Sequence, residues 1–223
     1  MYGIPEQVLA RVVATRGRLH CYEQIDARHT ALLVVDLQNA YMAPGFFAEV
    51  PAARDIVPAV NAASRLVRMR GGLVVWIMTS SRGADRSWTA VHHHLLKPAT
   101  SGRRMLELSD GHPGYELWPE LEVGPADVKT IKTRYSAFIQ GASDLEDLLR
   151  SRGIDTVVVA GTATNVCCES TARDAMMLDF KTIMLADANA AKDPGVHAAT
   201  LANFIEYFGD VMTVNELAGR LRS

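Results

Sequence analysis

The sequence predicts an α/β protein: a three-layer α/β/α sandwich on a doubly wound, six-stranded, mainly parallel sheet. Three observations carry that expectation. Short β-branched runs alternate with longer amphipathic stretches in a βαβαβα order. Several runs are apolar at nearly every position, as strands covered on both faces must be. Glycines follow the ends of amphipathic stretches, where a helix C-cap needs a left-handed residue.

The expected strands are residues 31–36, 73–78, 127–132, 156–160, 182–186 and 210–213, and the expected helices 56–70, 144–152, 164–179 and 194–208. Gly71, Gly72 and Gly153 read as helix stops. Residues 1–29 form an N-terminal arm, with a short helix over 5–13 expected to pack on a neighbour, and residues 30–223 form one domain. Residues 80–118, with Gly, Pro, Ser and three consecutive histidines, are the longest irregular excursion. Loops of that kind often carry substrate contacts.

Composition narrows the class. With 223 residues, 48% hydrophobic and 22% charged, the chain can bury a sizeable core. A net charge of −2 gives no electrostatic case for nucleic acid or an anionic membrane. No apolar run approaches the ~20 residues of a bilayer span, and the N-terminus has no export pattern. The expected location is the cytoplasm. The three cysteines, Cys21 and the adjacent Cys167 and Cys168, make no disulfide framework and suit a reducing compartment.

Three polar residues sit at the carboxyl ends of strands, the edge where open parallel sheets bind ligands. Asp36 follows Ala-Leu-Leu-Val-Val. Lys132 follows Val-Lys-Thr-Ile. Gly161-Thr-Ala-Thr-Asn-Val-Cys167 follows Thr-Val-Val-Val-Ala. Taken singly, each has an ordinary explanation: a turn-forming carboxylate, a solvated lysine, a small buried thiol. Together they form an acid, a cation and a nucleophile on one edge. A helix N-terminus and an ammonium both lower a thiol's pKa, with Thr164 or Asn165 as cap. A carboxylate can take the thiol proton and later hand it to a leaving amine. Cys168, Ala172, Ala175 and Met176 follow the spacing of a buried stripe, which makes Cys168 the inert thiol of the pair.

The segments Asp36-Leu-Gln-Asn-Ala-Tyr, Lys132-Thr-Arg-Tyr-Ser-Ala-Phe and Gly161-Thr-Ala-Thr-Asn-Val-Cys167-Cys-Glu-Ser-Thr resemble the three signature segments of the isochorismatase-like cysteine hydrolases. The likeness runs from about residue 30 to about residue 213 and is nearest to the ureidoacrylate amidohydrolases. Nicotinamidases and N-carbamoylsarcosine amidohydrolases are more distant. The resemblance implies a triad of Asp36, Lys132 and Cys167. It also implies a cis peptide between Thr162 and Ala163, and an oxyanion hole from the N–H groups of Ala163 and Cys167. The implied activity is hydrolysis of a small amide, ureido or carbamoyl C–N bond through a thioester, without a cofactor, in a homodimer or homotetramer.

Gln38, Asn39 and Tyr135 adjoin the triad in sequence and are candidate substrate contacts. Phe46, Phe47 and Trp88 could wall a pocket or simply pack in the core. Metal-binding relatives carry an Asp-x-His pair after the first motif, and this chain has none there. The run His92-His93-His94 is a poor substitute, since consecutive helical side chains point ~100° apart. Rival readings are a vinyl-ether hydrolase of the isochorismate type, which would not need the thiol, and a non-catalytic binding protein on the same fold. A redox switch at Cys167 and Cys168 is disfavoured, because adjacent helical cysteines are poorly placed for a disulfide.

Overall fold

The computed structural model describes residues 3–223, so the first two residues of the N-terminal arm lie outside it. Six strands form one sheet: β1 (Thr30–Val35), β2 (Leu73–Thr79), β3 (Val128–Lys132), β4 (Thr156–Thr162), β5 (Lys181–Ala190) and β6 (Asp210–Met212). Their spatial order is β3-β2-β1-β4-β5-β6, and every pairing is parallel. The chain builds outward from β1 in one direction and then from β4 in the other. The reversal between β1 and β4 leaves a crevice at their carboxyl ends.

Alternation along the strands explains both helical layers. Ala31, Leu33 and Val35 of β1 point to one face, Leu32 and Val34 to the other, and all are buried. The first face packs on α1 (Glu6–Arg16), α4 (Leu145–Ser151), α5 (Glu169–Met177) and α6 (Pro194–Tyr207). The second packs on α2 (Val57–Met69) and α7 (Val214–Arg220). Helix α2 shows how the sequence specifies its layer. Pro58 starts it, where a missing N–H costs nothing. Val57, Val60, Ala63 and Val67 give it one apolar stripe. Gly71, at φ 83°, turns the chain into β2.

The excursion over 80–118 is largely helical rather than irregular. It holds short turns at Ala84–Ser87 and Ala90–Leu95, helix α3 (Pro98–Glu107) and a 3₁₀ turn at Pro113–Tyr115. The polar, Pro- and Gly-punctuated composition hid these short elements, because none has a long apolar stripe. The N-terminal helix is longer than the sequence predicts. It runs to Arg16 and packs on α6 of its own chain, burying Val8 and Val12 and pairing Arg11 with Glu206 at 2.6 Å. Fully buried Asp210, at the start of β6, then holds the arm by accepting hydrogen bonds from the N–H groups of Cys21 (2.8 Å) and Tyr22 (3.3 Å). Among the described residues, no helix is long and apolar enough to cross a membrane.

Gly161 marks the tightest approach in the sheet. It lies opposite Val35 at φ 124°, and a Cβ there would fall 2.1 Å from the Val35 carbonyl oxygen. No side chain fits without forcing β1 and β4 apart directly beneath the crevice. Gly161→Ala should therefore lower stability by roughly 3 kcal/mol or more. Urea denaturation checks this, and an unchanged midpoint would show that the two strands can separate cheaply.

Candidate active site

Three strand ends converge at the crevice. Asp36 leaves β1 with φ 54°, a left-handed conformation that aspartate tolerates better than most residues. Its side chain is fully buried, and so is that of Lys132 at the end of β3. These strands are not neighbours. β2 lies between them, and adjacent strands are ~4.8 Å apart, so the long lysine must reach across. Thr79, the last residue of β2 and register partner of Lys132, fills the gap. Its hydroxyl donates to Asp36 Oδ1 at 2.7 Å and accepts from Lys132 Nζ at 2.6 Å. Lys132 Nζ also donates to Asp36 Oδ2 at 2.8 Å and to the Arg134 carbonyl at 3.1 Å. All three ammonium protons are thus used, and both carboxylate oxygens are held.

Burial alone would lower the Lys132 pKa, but the charges of Asp36 and the neighbouring acidic groups outweigh it, and the net shift is upward. The ammonium is secure.

Cys167 enters from the other side of the crevice. The Thr162–Ala163 peptide bond is cis. A π-helical turn, Thr164–Cys168, then leads into α5. Such wide turns recur at functional sites. The expected side-chain cap is not made: Ala163 occupies the cap position, and the Thr164 hydroxyl pairs with His197 Nδ1 at 2.8 Å. Cys167 lines the cavity, whereas Cys168 is fully enclosed in the core with Ala172 and Ala175. Thr171 completes that stripe, and Met176 is only half-buried, because the π turn shifts the helix register.

The thiol environment differs from the sequence expectation. Burial first, then the Asp36 charge, push the Cys167 thiol up to about 12, although Lys132 pulls the other way. Burial and the Asp36 charge thus favour the neutral thiol, against the pull of the Lys132 ammonium.

A cavity of about 260 Å³ opens in front of Cys167. Tyr41, Arg104, Tyr135, Ala163 and Asn165 are among its walls, with Val196 of α6 and Asp193, which caps that helix. Of the six candidate substrate contacts, Tyr135 lines this space. Gln38 is instead a buried brace: its amide donates to the Thr79 and Tyr115 carbonyls and accepts from the Thr79 N–H. Asn39 ties the short helix Asn39–Met42 to the Pro113 carbonyl. Phe46 packs edge-on against His112. Phe47 and Trp88 stand one layer back, touching Tyr41 and Tyr135 respectively. His92 is buried and bonds Ser101 at 2.8 Å, while His93 and His94 are exposed. Among the described residues, no three His, Cys, Asp or Glu side chains gather as a metal site.

Thr79, Tyr41 and Arg104 were missed from the sequence. Thr79 obeys the same strand-end rule that singles out Asp36 and Lys132. Tyr41 lies inside the first motif. Arg104, on a helix hidden in the excursion, carried no signal.

The isochorismatase domain model matches residues 30–216. A ureidoacrylate amidohydrolase RutB of Caulobacter segnis is 32% identical, over 87% of each chain. A cysteine hydrolase from Pseudomonas syringae pv. phaseolicola superposes with TM-score 0.78 and 30% identity, over 88% of this chain and 93% of its own. An N-carbamoylsarcosine amidase from Thermoplasma acidophilum superposes with TM-score 0.65 and 26% identity, over 83% and 96%. With three strand ends delivering a carboxylate, an ammonium and a thiol to one crevice of a six-stranded parallel sheet, and with that match over most of its length, the chain belongs to the isochorismatase family.

Proposed function

We propose that this hydrolase cleaves the C–N bond of a small amide, ureido or carbamoyl compound through a thioester on Cys167. The observation that supports it best is the pairing of a cavity-lining thiol with a buried carboxylate whose two oxygens are both held in place. The names of the relatives point to the same bond type.

The steps follow from the groups present. Cys167 Sγ attacks the carbonyl carbon while its proton passes to Asp36, so no free thiolate accumulates. The oxygen becomes an oxyanion, taken by the N–H groups of Ala163 and Cys167, both on the cavity wall. The tetrahedral species collapses, the C–N bond breaks, and Asp36 returns the proton to the leaving nitrogen. Water then gives a proton to Asp36 and its oxygen to the thioester carbon. The C–S bond breaks and the thiol is reprotonated. Lys132 stays protonated throughout and holds Asp36 in position. The three unpaired cysteines suit a reducing, cytoplasmic setting.

Acid quench during turnover of carbamoyl amino acids, ureido acids and simple amides tests the mechanism. Intact-mass analysis should find an acyl or carbamoyl adduct, and peptide mapping should place it on Cys167. Turnover that persists in Cys167→Ala, with no adduct on the wild type, would overturn the thioester and favour protonation chemistry at Asp36.

A further inference from the structure

Arg104 has an environment that the triad does not explain. It lies on α3, lines the cavity beside Cys167, and is only 7% exposed. Its guanidinium lies over two aromatic rings, 5.7 Å from the Phe47 centroid and 5.5 Å from the Trp88 centroid. Aromatic faces stabilise a cation through its flat sides. They offer nothing to the N–H groups on its edge, which require acceptors in the plane. Among the described residues no such acceptor is supplied, and Nε is buried without a partner.

The nearest carboxylate in sequence on its own helix is already committed. Glu107 binds the Arg103 guanidinium at 2.7 and 2.9 Å and accepts the Phe47 N–H at 2.7 Å. A buried cation with its edge unpaired is costly, and leaving it so is destabilising unless an anion completes it. The charge reaches other groups of the cavity too, since Arg104 acts to lower the pKa of both Cys167 and Tyr41. The missing partner is therefore an anion inside the catalytic cavity, in the plane of the guanidinium.

We propose that Arg104 binds a carboxylate of the substrate, so that the enzyme selects small carbamoyl or ureido acids over neutral amides. This rests on the hydrolase reading above, and narrows it from a bond type to a substrate class. Arg104 then orients the substrate with its carboxylate away from the thiol and its carbonyl against it. The planar fork matches the two carboxylate oxygens, which a lysine could not do.

Binding to Cys167→Ala protein separates this proposal from the chemistry. The probes are N-carbamoyl derivatives of glycine, β-alanine and 4-aminobutyrate, each as free acid and as methyl ester. Calorimetry should show at least one acid binding roughly 100-fold more tightly than its ester. Arg104→Met should erase that preference, and Arg104→Lys should restore only part of it. In protein with Cys167 intact, Arg104→Met should raise KM for the acid far more than it lowers kcat, with the ester little affected. Equal affinity for acid and ester, or no acid binding at about 10 mM, would overturn the assignment. So would an equal loss for both in Arg104→Met, the mark of a structural role. Preferential acid binding without any turnover by the wild type would leave Arg104 as an anion anchor and sink the hydrolase reading instead. Turnover of neutral amides as fast as acids would do the reverse.

Discussion

Cys167→Ala is expected to abolish turnover, by roughly 10⁴-fold or more, while Cys168→Ala keeps most of it. The two thiols are adjacent, yet the π turn sends them to different surroundings. Cys167 meets the cavity and the Asp36 charge, whereas Cys168 is sealed among alanines on the sheet side of α5. Its thiol is pushed well above the usual cysteine range, by burial first and then by the neighbouring Cys167. Cys168→Ala removes one buried sulfur and should cost only about 1 kcal/mol. Alkylation gives an independent reading. Thiolate is the reactive form, and with the Cys167 thiol pushed up to about 12, its fraction grows about tenfold per pH unit. Iodoacetamide should thus inactivate the free enzyme faster and faster between about pH 7 and about pH 10, with no plateau. Peptide mapping should find Cys167 modified before Cys168. A plateau near neutrality would mean a stable resting thiolate. A dead Cys168→Ala beside a live Cys167→Ala would mean that the two sulfurs have exchanged places.

What could be read from the sequence follows how local each signal is. The sheet was legible because β1 and β4 are buried on both faces, so their codes are unbroken apolar runs. Asp36 and Lys132 were legible because a polar residue ending such a run must emerge at the carboxyl edge. Thr79 ends its run in the same way, but a threonine is unremarkable in a strand, and only the spacing of β1 and β3 reveals that something must bridge them. The upward shift of the Cys167 thiol was hidden for a similar reason. Sequence showed a cation near a cysteine but not that the cation's three donors were already placed. The cavity wall was hardest. Gln38 and Asn39 adjoin Asp36 in sequence, yet their amide N–H groups are taken by backbone carbonyls. Arg104 reaches the site through a tertiary contact that no local pattern encodes.

Lys132→Ala should abolish turnover and also weaken the fold, and separating the two effects tests the role of the ion pair. Both partners are fully buried, 2.8 Å apart. Removing the ammonium leaves Asp36 charged, desolvated and held only by Thr79, a change that typically costs about 3–5 kcal/mol. That is a large part of an ordinary domain's stability. Circular dichroism and urea midpoints must therefore accompany the kinetics. Lys132→Arg should fail too. The three acceptors, Asp36 Oδ2, Thr79 Oγ1 and the Arg134 carbonyl, surround a single nitrogen at 2.6 to 3.1 Å. A flat, five-donor fork cannot occupy the place of a point charge so enclosed. Because the folded Lys132 pKa is raised above its ordinary 10.5, the stability it contributes is complete below that value. It is lost only as the pH climbs through the higher folded value, so the pair is intact across the neutral range. The decisive variant is the double substitution Asp36→Asn with Lys132→Met. With both charges gone, no uncompensated carboxylate remains, and the stability lost in Lys132→Met alone should largely return. Turnover should not return, since neither the base nor the cation that holds it is present. If Lys132→Ala keeps more than about a tenth of the wild-type rate, a loss of only ~1.4 kcal/mol in the barrier, the lysine supports the fold and not the reaction.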